Sequence, residues 1–195
     1  MSYNAKDRYY AILQAAETLF GEKGYQGVSI DEIARTAGVA KGLISYHFGS
    51  KEKLLIHVLS KGTAALFAQL DGVTLTHKTA KDRVRAAIEI YLTIASAGPA
   101  LTRTAMMAVF DASYPERIRK LWQDFTEKNL SRFRELVEDG IAKGEFKPVD
   151  SQLVTQMVMA MAFEMLRTAS LKNMPLNPGK SADQVTKIIF EGISN

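Results

Sequence analysis

Apolar residues recur every three or four positions along most of the chain, which is the spacing of one face of an α-helix. No stretch alternates between apolar and polar residues as a half-buried strand does. Glycine and proline residues interrupt the helical pattern and set its limits. The pattern predicts an all-α fold of about nine helices. They are expected over residues 7–23, 29–37, 40–48, 50–70, 80–97, 100–110, 113–143, 151–171 and 181–193.

The stretch from Ser29 to Lys53 carries the most specific local signals. Ser29 is a good helix N-cap, and Glu32, three residues later, completes a capping-box pattern. Gly38 follows the apolar stripe of this helix, at the position where a left-handed residue costs least. We therefore expect a short helix that begins after Ser29 and ends at Gly38.

A second short helix, from about Ala40 to Phe48, has an unusual outward face. When Ile44 and Phe48 point inward, Gly42 and Tyr46 point directly away from the core. Glycine inside a helix costs about 1 kcal/mol relative to alanine, and an exposed tyrosine ring gains little from water. This face is explained if another molecule docks on it and Gly42 lets that molecule come close.

Lys51 stands in the first turn of the following helix, where a cation opposes the helix dipole. The same position sets its ammonium beside free backbone N–H groups, which together form a phosphate site. Two short helices, a tight turn and a phosphate clamp are typical of a helix-turn-helix that reads DNA.

The composition is that of a soluble globular protein, with 195 residues, 47% hydrophobic and 24% charged. The absence of cysteine excludes disulfides and thiolate chemistry. Neither a signal peptide nor an apolar run of membrane-spanning length is present, so we expect a cytoplasmic protein without a membrane partner. The net charge of +4 is a mild indication of a polyanionic partner.

The N-terminal part also carries a set of motifs at fixed spacing. These motifs are Ala11–Phe20 (AILQAAETLF), Gly24-Tyr25, Ile33-Ala34, Ala37-Gly38-Val39, Lys41-Gly42, Tyr46-His47-Phe48, Ser50-Lys51-Glu52 and Leu54-Leu55. Over roughly residues 8–60 the set resembles the N-terminal domain of TetR-family transcriptional regulators. The resemblance implies a homodimer that binds a palindromic DNA operator, and a helical C-terminal domain that holds a small-molecule inducer.

The resemblance further implies a DNA-binding domain over residues 1–50 and a ligand-binding and dimerisation domain over 51–195. The helix 51–70 connects the two and is expected to transmit the effect of the ligand. By the same analogy, the helices 151–171 and 181–193 of each subunit pair in the dimer interface. The alternative is that these two helices complete the core of a monomer.

The DNA contacts carried over from the family fall into three groups. Val28 and Ser29 are expected on phosphates, Lys41, Gly42, Leu43 and Ser45 on base edges, and Tyr46, His47 and Lys51 at or beside the DNA backbone. Many members have tyrosine where this chain has Ser45, and threonine or alanine where it has Leu43. Leucine can only pack on a base, for example on a thymine methyl group, so we expect the operator preference to depend on these two positions.

Methionine and aromatic side chains of the C-terminal part could line an adaptable, mainly apolar inducer pocket, although such residues are also common in a plain core. The candidates for ligand binding are Tyr91, Arg103, Met106, Met107, Phe110, Trp122, Phe125, Met161, Glu164 and Met165. Glu164 either selects a cationic or hydroxylated ligand or pairs with Arg167 one turn later. We hypothesise a repressor that a lipophilic ligand releases from its operator.

Two other classes of protein remain as alternatives. An enzyme is disfavoured because His47, His57 and His77 lack metal-ligand spacing, and no phosphate loop or dinucleotide fingerprint is present. Ser50 and Lys53 match a Ser-x-x-Lys pattern, but its companion motifs are missing. No metal or cofactor is therefore expected. A helical ligand-binding or interaction protein without specific DNA binding is the second alternative.

Overall fold

In the computed structural model the described residues form helices joined by turns and short loops, as predicted. The structure describes residues 5–98, 102, 104, 105, 107, 108, 111–172 and 176–191. Eight helices have defined bounds in this part of the chain. They are α1 (Ala5–Lys23), α2 (Ile30–Ala37), α3 (Lys41–Phe48), α4 (Lys51–Thr76), α5 (Ala80–Ala97), α6 (Glu116–Ala142), α7 (Ser151–Lys172) and α8 (Pro178–Glu191).

The expected number of about nine helices exceeds by one the helices with defined bounds in the described residues. The remaining predicted helix, over residues 100–110, lies partly outside them. Thr102, Thr104, Ala105, Met107 and Ala108 are helical, and the ends of that segment are not among the described residues.

The helix α4 is longer than the sequence predicts, since it continues through the polar stretch after Leu70 and ends at Thr76. Asp71 forms an ion pair with Arg132, 61 residues further along the chain. Val73 is buried, and the Thr76 hydroxyl donates to the carbonyl of Gly72 at 3.0 Å. Tertiary contacts and a side-chain hydrogen bond within the helix therefore stabilise this segment as part of α4. From its polarity alone, the sequence predicts that the helix ends before it.

The helix α8 begins at Pro178, three residues before its predicted start. Asn177 caps it, because the Asn177 Oδ1 accepts from the backbone N–H of Lys180 at 3.0 Å. Proline in the first turn is compatible with this cap, since it lacks only an N–H that has no partner there.

The chain divides into two compact units. Unit 1 comprises Met1–Ala64 and Gly98–Asp124, and unit 2 comprises Ala65–Ala97 and Phe125–Asn195. The helix α4 therefore contributes its first part to unit 1 and its last part to unit 2. The functional boundary expected after residue 50 stays a prediction, because compactness does not report which residues bind DNA.

The core of unit 1 fixes the orientation of the short helices α2 and α3. Ile33 of α2 and Ile44 of α3 are buried together with Phe20 of α1 and Leu54 of α4. Tyr114, from the second segment of the unit, is buried in the same core. Each short helix is therefore held by one apolar face and leaves its opposite face in solvent.

The core of unit 2 lies among α5, α6, α7 and α8, with Ile88, Phe133, Val158 and Val185 buried in it. Gly140 of α6 permits a close approach, because a Cβ at this position would collide with the ring of Phe146. Among the described residues no helix combines the length and apolarity that crossing a membrane requires.

Candidate functional site

The predicted start and end of α2 are confirmed. Ser29 has extended backbone angles (φ −107°, ψ 156°), and its Oγ accepts from the N–H of Glu32 at 3.1 Å. The Lys23 ammonium, and to a smaller extent Arg35 and the N–H of Ser29, hold the pKa of the Glu32 carboxyl below its usual range. Gly38 ends the helix in the left-handed region, at φ 66°. These caps fix where α3 begins three residues later.

The outward face of α3 is also placed as predicted. Ile44 and Phe48 are buried, whereas Gly42, Ser45 and Tyr46 are exposed, Tyr46 to 83%. Beyond its two chain neighbours and the backbone of its own helix, no described atom would lie within 4 Å of a Cβ added at Gly42. Nothing in the described protein therefore requires a glycine here, and the free space lies on the solvent side of the helix.

Three of the residues predicted to contact DNA are more buried than the outward face of α3. The Val28 side chain is only 2% exposed, so a phosphate could meet its backbone and not its side chain. Leu43 packs partly against the core of unit 1. His47 is partly buried and lies edge-on to Tyr9, with 5.8 Å between the ring centroids. Their DNA contacts stay predictions.

Lys41 lies at the exposed start of α3 and pairs with Asp31 of α2, with 2.8 Å between Nζ and Oδ2. Both side chains are more than half exposed. Exposed ion pairs of this kind contribute at most about 1 kcal/mol, so the ammonium can exchange the carboxylate for a phosphate or a base edge.

Lys51 has partners inside unit 1. Its Nζ donates to the backbone carbonyls of Tyr25 at 2.8 Å and Val28 at 2.9 Å. The ammonium also lies 4.2 Å from the centre of the Tyr25 ring. Two carbonyls and the face of the Tyr25 ring thus surround the ammonium, and its contact with a phosphate stays a prediction. The predicted phosphate clamp therefore also fastens the connection between α1 and α2 to the start of α4.

Sequence reasoning did not select three further polar residues on this face. Arg8 of α1 and Arg35 and Thr36 of α2 line an open depression of about 800 Å³ together with Gly42 and Tyr46. The depression combines two guanidinium groups with the outward face of α3. The signal in the sequence was the position of Arg35 opposite the buried face of α2, but Arg8 comes close to it only in the folded unit.

Unit 2 contains an open pocket of about 880 Å³ between the end of α4 and the helices α5, α6 and α7. Its lining is mixed, with apolar side chains such as Ala87, Phe133 and Met159 beside charged and amide groups. Tyr91 is the predicted ligand residue that lines it. Burial raises the pKa of the Tyr91 hydroxyl, which therefore stays a neutral hydrogen-bonding group.

The other candidate ligand residues are distributed over both units. Met161 and Met165 pack partly buried against the core of unit 2. The ring of Phe125 lies 5.4 Å from that of Phe67 in the same unit. Trp122 and Met107 belong to unit 1, where Trp122 packs against the core and Met107 is partly exposed. Arg103, Met106 and Phe110 lie outside the described residues.

Glu164 makes the local pair that was one of its two predicted roles. Its carboxylate accepts from the Arg167 guanidinium at 2.6 and 2.7 Å, and from the Thr168 hydroxyl at 3.1 Å. These hydrogen bonds, chiefly the one from Arg167, lower the pKa of Glu164 to about 2. The side chain is exposed and is not part of the pocket lining in unit 2.

Two family profiles match the chain. The one described as "Bacterial regulatory proteins, tetR family" matches residues 12–58, which include α2, α3 and the start of α4. The one described as "Tetracyclin repressor-like, C-terminal domain" matches residues 77–167. The chain belongs to the TetR family.

Relatives of the TetR-family chain extend over almost its whole length. The fatty acid metabolism regulator protein of Bacillus subtilis (strain 168) is 22% identical over 191 residues, 97% of this chain and 97% of that protein. The solved structure of a putative fatty acid metabolism regulator from Clostridium perfringens has a TM-score of 0.85 and 22% identity, and the match covers 95% of this chain and 99% of that one.

The transcriptional regulator FadR from Bacillus subtilis, solved in complex with stearoyl-CoA, has a TM-score of 0.81 and 22% identity. That match covers 95% of this chain and 100% of FadR. The TetR-family chain is thus a ligand-responsive, DNA-binding transcriptional regulator, and its predicted all-α fold with a helix-turn-helix is confirmed.

Proposed function

We propose that this TetR-family regulator is a cytoplasmic repressor that binds a palindromic operator as a homodimer, through the exposed face of α3. The observation that carries this proposal is the pairing of Gly42 with Tyr46 on a face that is open to solvent, with free space beyond Gly42 and the Tyr46 side chain 83% exposed. Lys41 at one end of α3, and Arg8 and Arg35 beside it, supply the cations that a phosphate backbone attracts.

Base readout in this proposal comes from Lys41, Leu43 and Ser45. Ser45 is exposed, and its hydroxyl can hydrogen-bond to a base or a phosphate. Ser29, Tyr46, His47 and Lys51 hold the DNA backbone, and Gly42 lets that backbone approach the helix. In a dimer, the two α3 helices enter successive major grooves, about 34–36 Å apart or a variant of that spacing.

The dimer is proposed to form through α7 and α8. Leu153 and Met157 on α7 and Ile188 on α8 are large apolar side chains that the single chain leaves roughly half exposed. Scattered apolar residues are normal on a surface, but these three lie on the two helices for which the family resemblance implies pairing. A second copy would bury them.

The inducer is proposed to be a fatty acyl thioester or a related lipophilic acyl compound. This part is supported by the relative that was solved in complex with stearoyl-CoA. The pocket of unit 2, with a volume of about 880 Å³, has space for the acyl chain of such a molecule. Since α4 belongs to both units, its displacement by a ligand can change the DNA-binding surface, and a coupling of about 1–3 kcal/mol is enough.

The test begins with selection of operator DNA from a random-sequence pool by the wild-type protein. Fluorescence anisotropy then compares wild type with Tyr46→Ala, and with Gln156→Ala as a control at an exposed position of α7. We expect Tyr46→Ala to weaken operator binding at least tenfold and Gln156→Ala to leave it unchanged. Stearoyl-CoA should release the operator. If no DNA sequence is enriched, the chain is a ligand-binding protein without specific DNA binding.

A further inference from the structure

Asp31 of α2 is an exposed acid beside the helix that is proposed to read DNA. Its side chain is 68% exposed. The neighbouring acid, Glu32, pairs with Lys23, and the sequence contains no further Asp or Glu from residue 33 to residue 51. A negative charge at this place repels the phosphates of a DNA backbone and so weakens general DNA binding. The presence of Asp31 therefore needs an explanation other than attraction to DNA.

The partner of Asp31 is Lys41, the first residue of α3. The Lys41 Nζ lies 2.8 Å from the Asp31 Oδ2, so the pair spans the turn between α2 and α3. An acid is favoured in the first turn of a helix, as Asp31 is in α2, whereas a cation there opposes the helix dipole, as Lys41 does in α3. An exposed pair of this kind stabilises a fold only slightly. What the pair does change is the position of the ammonium.

The other two cations beside α3 have no such partner. Arg8 and Arg35 line the open depression together with Gly42 and Tyr46, and both arginines are exposed. Neither forms an ion pair within the described residues. A mobile guanidinium can follow a phosphate, which carries no sequence information. Lys41 is held at one point by a carboxylate, and a fixed donor is what the reading of a base requires.

The chemistry of Lys41 suits a guanine. The first residues of a recognition helix contact base edges in the major groove, where guanine presents two acceptors, O6 and N7. An ammonium has three N–H donors, and Asp31 accepts one of them. The Lys41 side chain is 59% exposed, so the other two donors are open to a base. Without the carboxylate, the flexible lysine stem could carry the ammonium to a neighbouring phosphate instead.

We propose that Asp31 is a positioning residue for base readout and holds the Lys41 ammonium on a guanine in each half of the operator. The carboxylate keeps one N–H of the ammonium while the other two donate to O6 and N7. On DNA that lacks a guanine at this point, the charge of Asp31 disfavours the exchange of the carboxylate for a phosphate. Asp31 thus lowers the affinity for DNA in general and preserves it for one base pair. This role rests on the proposed function, in which α3 binds an operator.

The experiment selects DNA from a random-sequence pool with the full-length wild type, Asp31→Asn and Lys41→Gln. We expect the wild type to require guanine at one position of each half-site, and both variants to lose that preference while the other positions stay selected. Fluorescence anisotropy on the wild-type operator then measures the effect of replacing this G·C pair by A·T. The replacement should weaken the wild type at least about fivefold and Asp31→Asn less than about twofold.

Binding to DNA without an operator gives a second readout. Asp31→Asn should bind such DNA more tightly than the wild type, and its plot of log affinity against log salt should be steeper by about one unit. Both changes are expected because the released Lys41 ammonium can contact a phosphate.

Two further variants show whether Asp31 acts through Lys41. Glu22→Gln removes an exposed acid of α1 that forms no ion pair within the described part of the chain, and it should keep the base preference of the wild type. The double variant Asp31→Asn, Lys41→Gln should have the same preference as Lys41→Gln alone, because the carboxylate then has no ammonium to hold. All melting temperatures should stay near that of the wild type.

A uniform rise in the affinity of Asp31→Asn for all sequences, with the base preference retained, overturns the proposal and makes Asp31 a general negative charge. A further change of preference in the double variant also overturns it, because Asp31 would then contact a base itself. The selection with the wild type separates this inference from the proposed function. An enriched operator whose preferences Asp31→Asn leaves unchanged removes only the role of Asp31, whereas the absence of any enriched sequence removes both.

Discussion

The ammonium of Lys51 donates to the carbonyl of Tyr25 at 2.8 Å and lies 4.2 Å from the centre of the ring of the same residue. One cation at the start of α4 thus holds both the backbone and the side chain of the connection that leads into α2. Burial lowers the pKa of Lys51, which is the expected direction for an ammonium taken partly out of water. Lys51, which the sequence predicts to bind DNA, therefore also stabilises the fold of unit 1.

Replacing Lys51 by alanine is expected to change two measurements at once. The melting temperature should fall, because the carbonyls of Tyr25 and Val28 lose their donor. The slope of log affinity for DNA against log salt should flatten by about one unit, because one phosphate contact is lost. Circular dichroism and anisotropy titrations over a salt series provide these two values.

Lys53→Ala is the control for Lys51, since it removes an exposed cation from the same helix end without touching the two carbonyls. Its melting temperature should stay near that of the wild type. If Lys51→Ala destabilises the protein but leaves the salt slope unchanged, Lys51 is structural only and does not contact DNA.

Gly42→Ala is expected to stabilise the free protein and to weaken its complex with DNA. Alanine is better than glycine in a helix by about 1 kcal/mol, and the space beyond Gly42 is open. The same methyl group would occupy the surface that DNA approaches. Thermal melts and operator titrations measure the two opposite effects.

Gly72→Ala is the matched substitution for Gly42→Ala, because Gly72 is also helical and also has free space around its missing Cβ. It should raise the melting temperature without changing operator affinity. Equal operator affinities for Gly42→Ala and wild type would show that the backbone of α3 does not come close to DNA at this point.

Met157→Glu is expected to convert the proposed dimer into a monomer. Met157 is 54% exposed on α7, so a single chain should tolerate the charge, whereas a helix pair would have to bury it at a cost of several kcal/mol. Val149→Glu places the same charge at an equally exposed apolar position before α7 begins. Sedimentation should give a monomer for the first variant and a dimer for the second, and a dimer for both would remove α7 from the interface.

The ion pair of Glu164 predicts a dependence of stability on acid. Its pKa is lowered from 4.5 to about 2, so the folded state favours the charged carboxylate. The resulting stabilisation is present above pH 4.5 and is lost as the pH falls from 4.5 towards about 2. The difference in melting temperature between wild type and Glu164→Gln should be small, because the pair is exposed, and should shrink over this interval.

The double variant Glu164→Gln, Arg167→Gln is the control for this acid dependence. It should melt close to Glu164→Gln alone, since the pair is already broken. A Glu164→Gln protein whose melting temperature differs from wild type equally at pH 2 and pH 6 would contradict the assignment of the low pKa to this pair.

Local signals made α2 and α3 predictable. Ser29 and Gly38 act within a few residues of their own helix, so their roles can be found without knowledge of the fold. The outward face of α3 follows equally from the spacing of Ile44 and Phe48. The end of α4 was not predictable, because Asp71 is held in the helix by a partner 61 residues away.

The pocket of unit 2 could be predicted only in small part from the sequence. Asn129 lies four residues from Phe125 and four from Phe133, in the middle of an otherwise apolar stripe. This position indicates a buried amide. Asn129 was not among the predicted ligand residues, because those were mainly large apolar side chains. Which helices face each other decides whether Arg83 and Asn129 share a cavity, and no spacing within one helix contains that information.

The chain passes from one compact unit to the other after Ala64, after Ala97 and after Asp124. The N-terminal unit is therefore not a contiguous module, because residues Gly98–Asp124 supply Tyr114 and Ile118 to its core. A fragment that stops at residue 64 would expose the apolar surface that these side chains cover. When the DNA-binding unit of one relative replaces that of another, in evolution or in a designed chimera, the transferred part must include this second segment. Otherwise it must keep the core residues that the segment contacts.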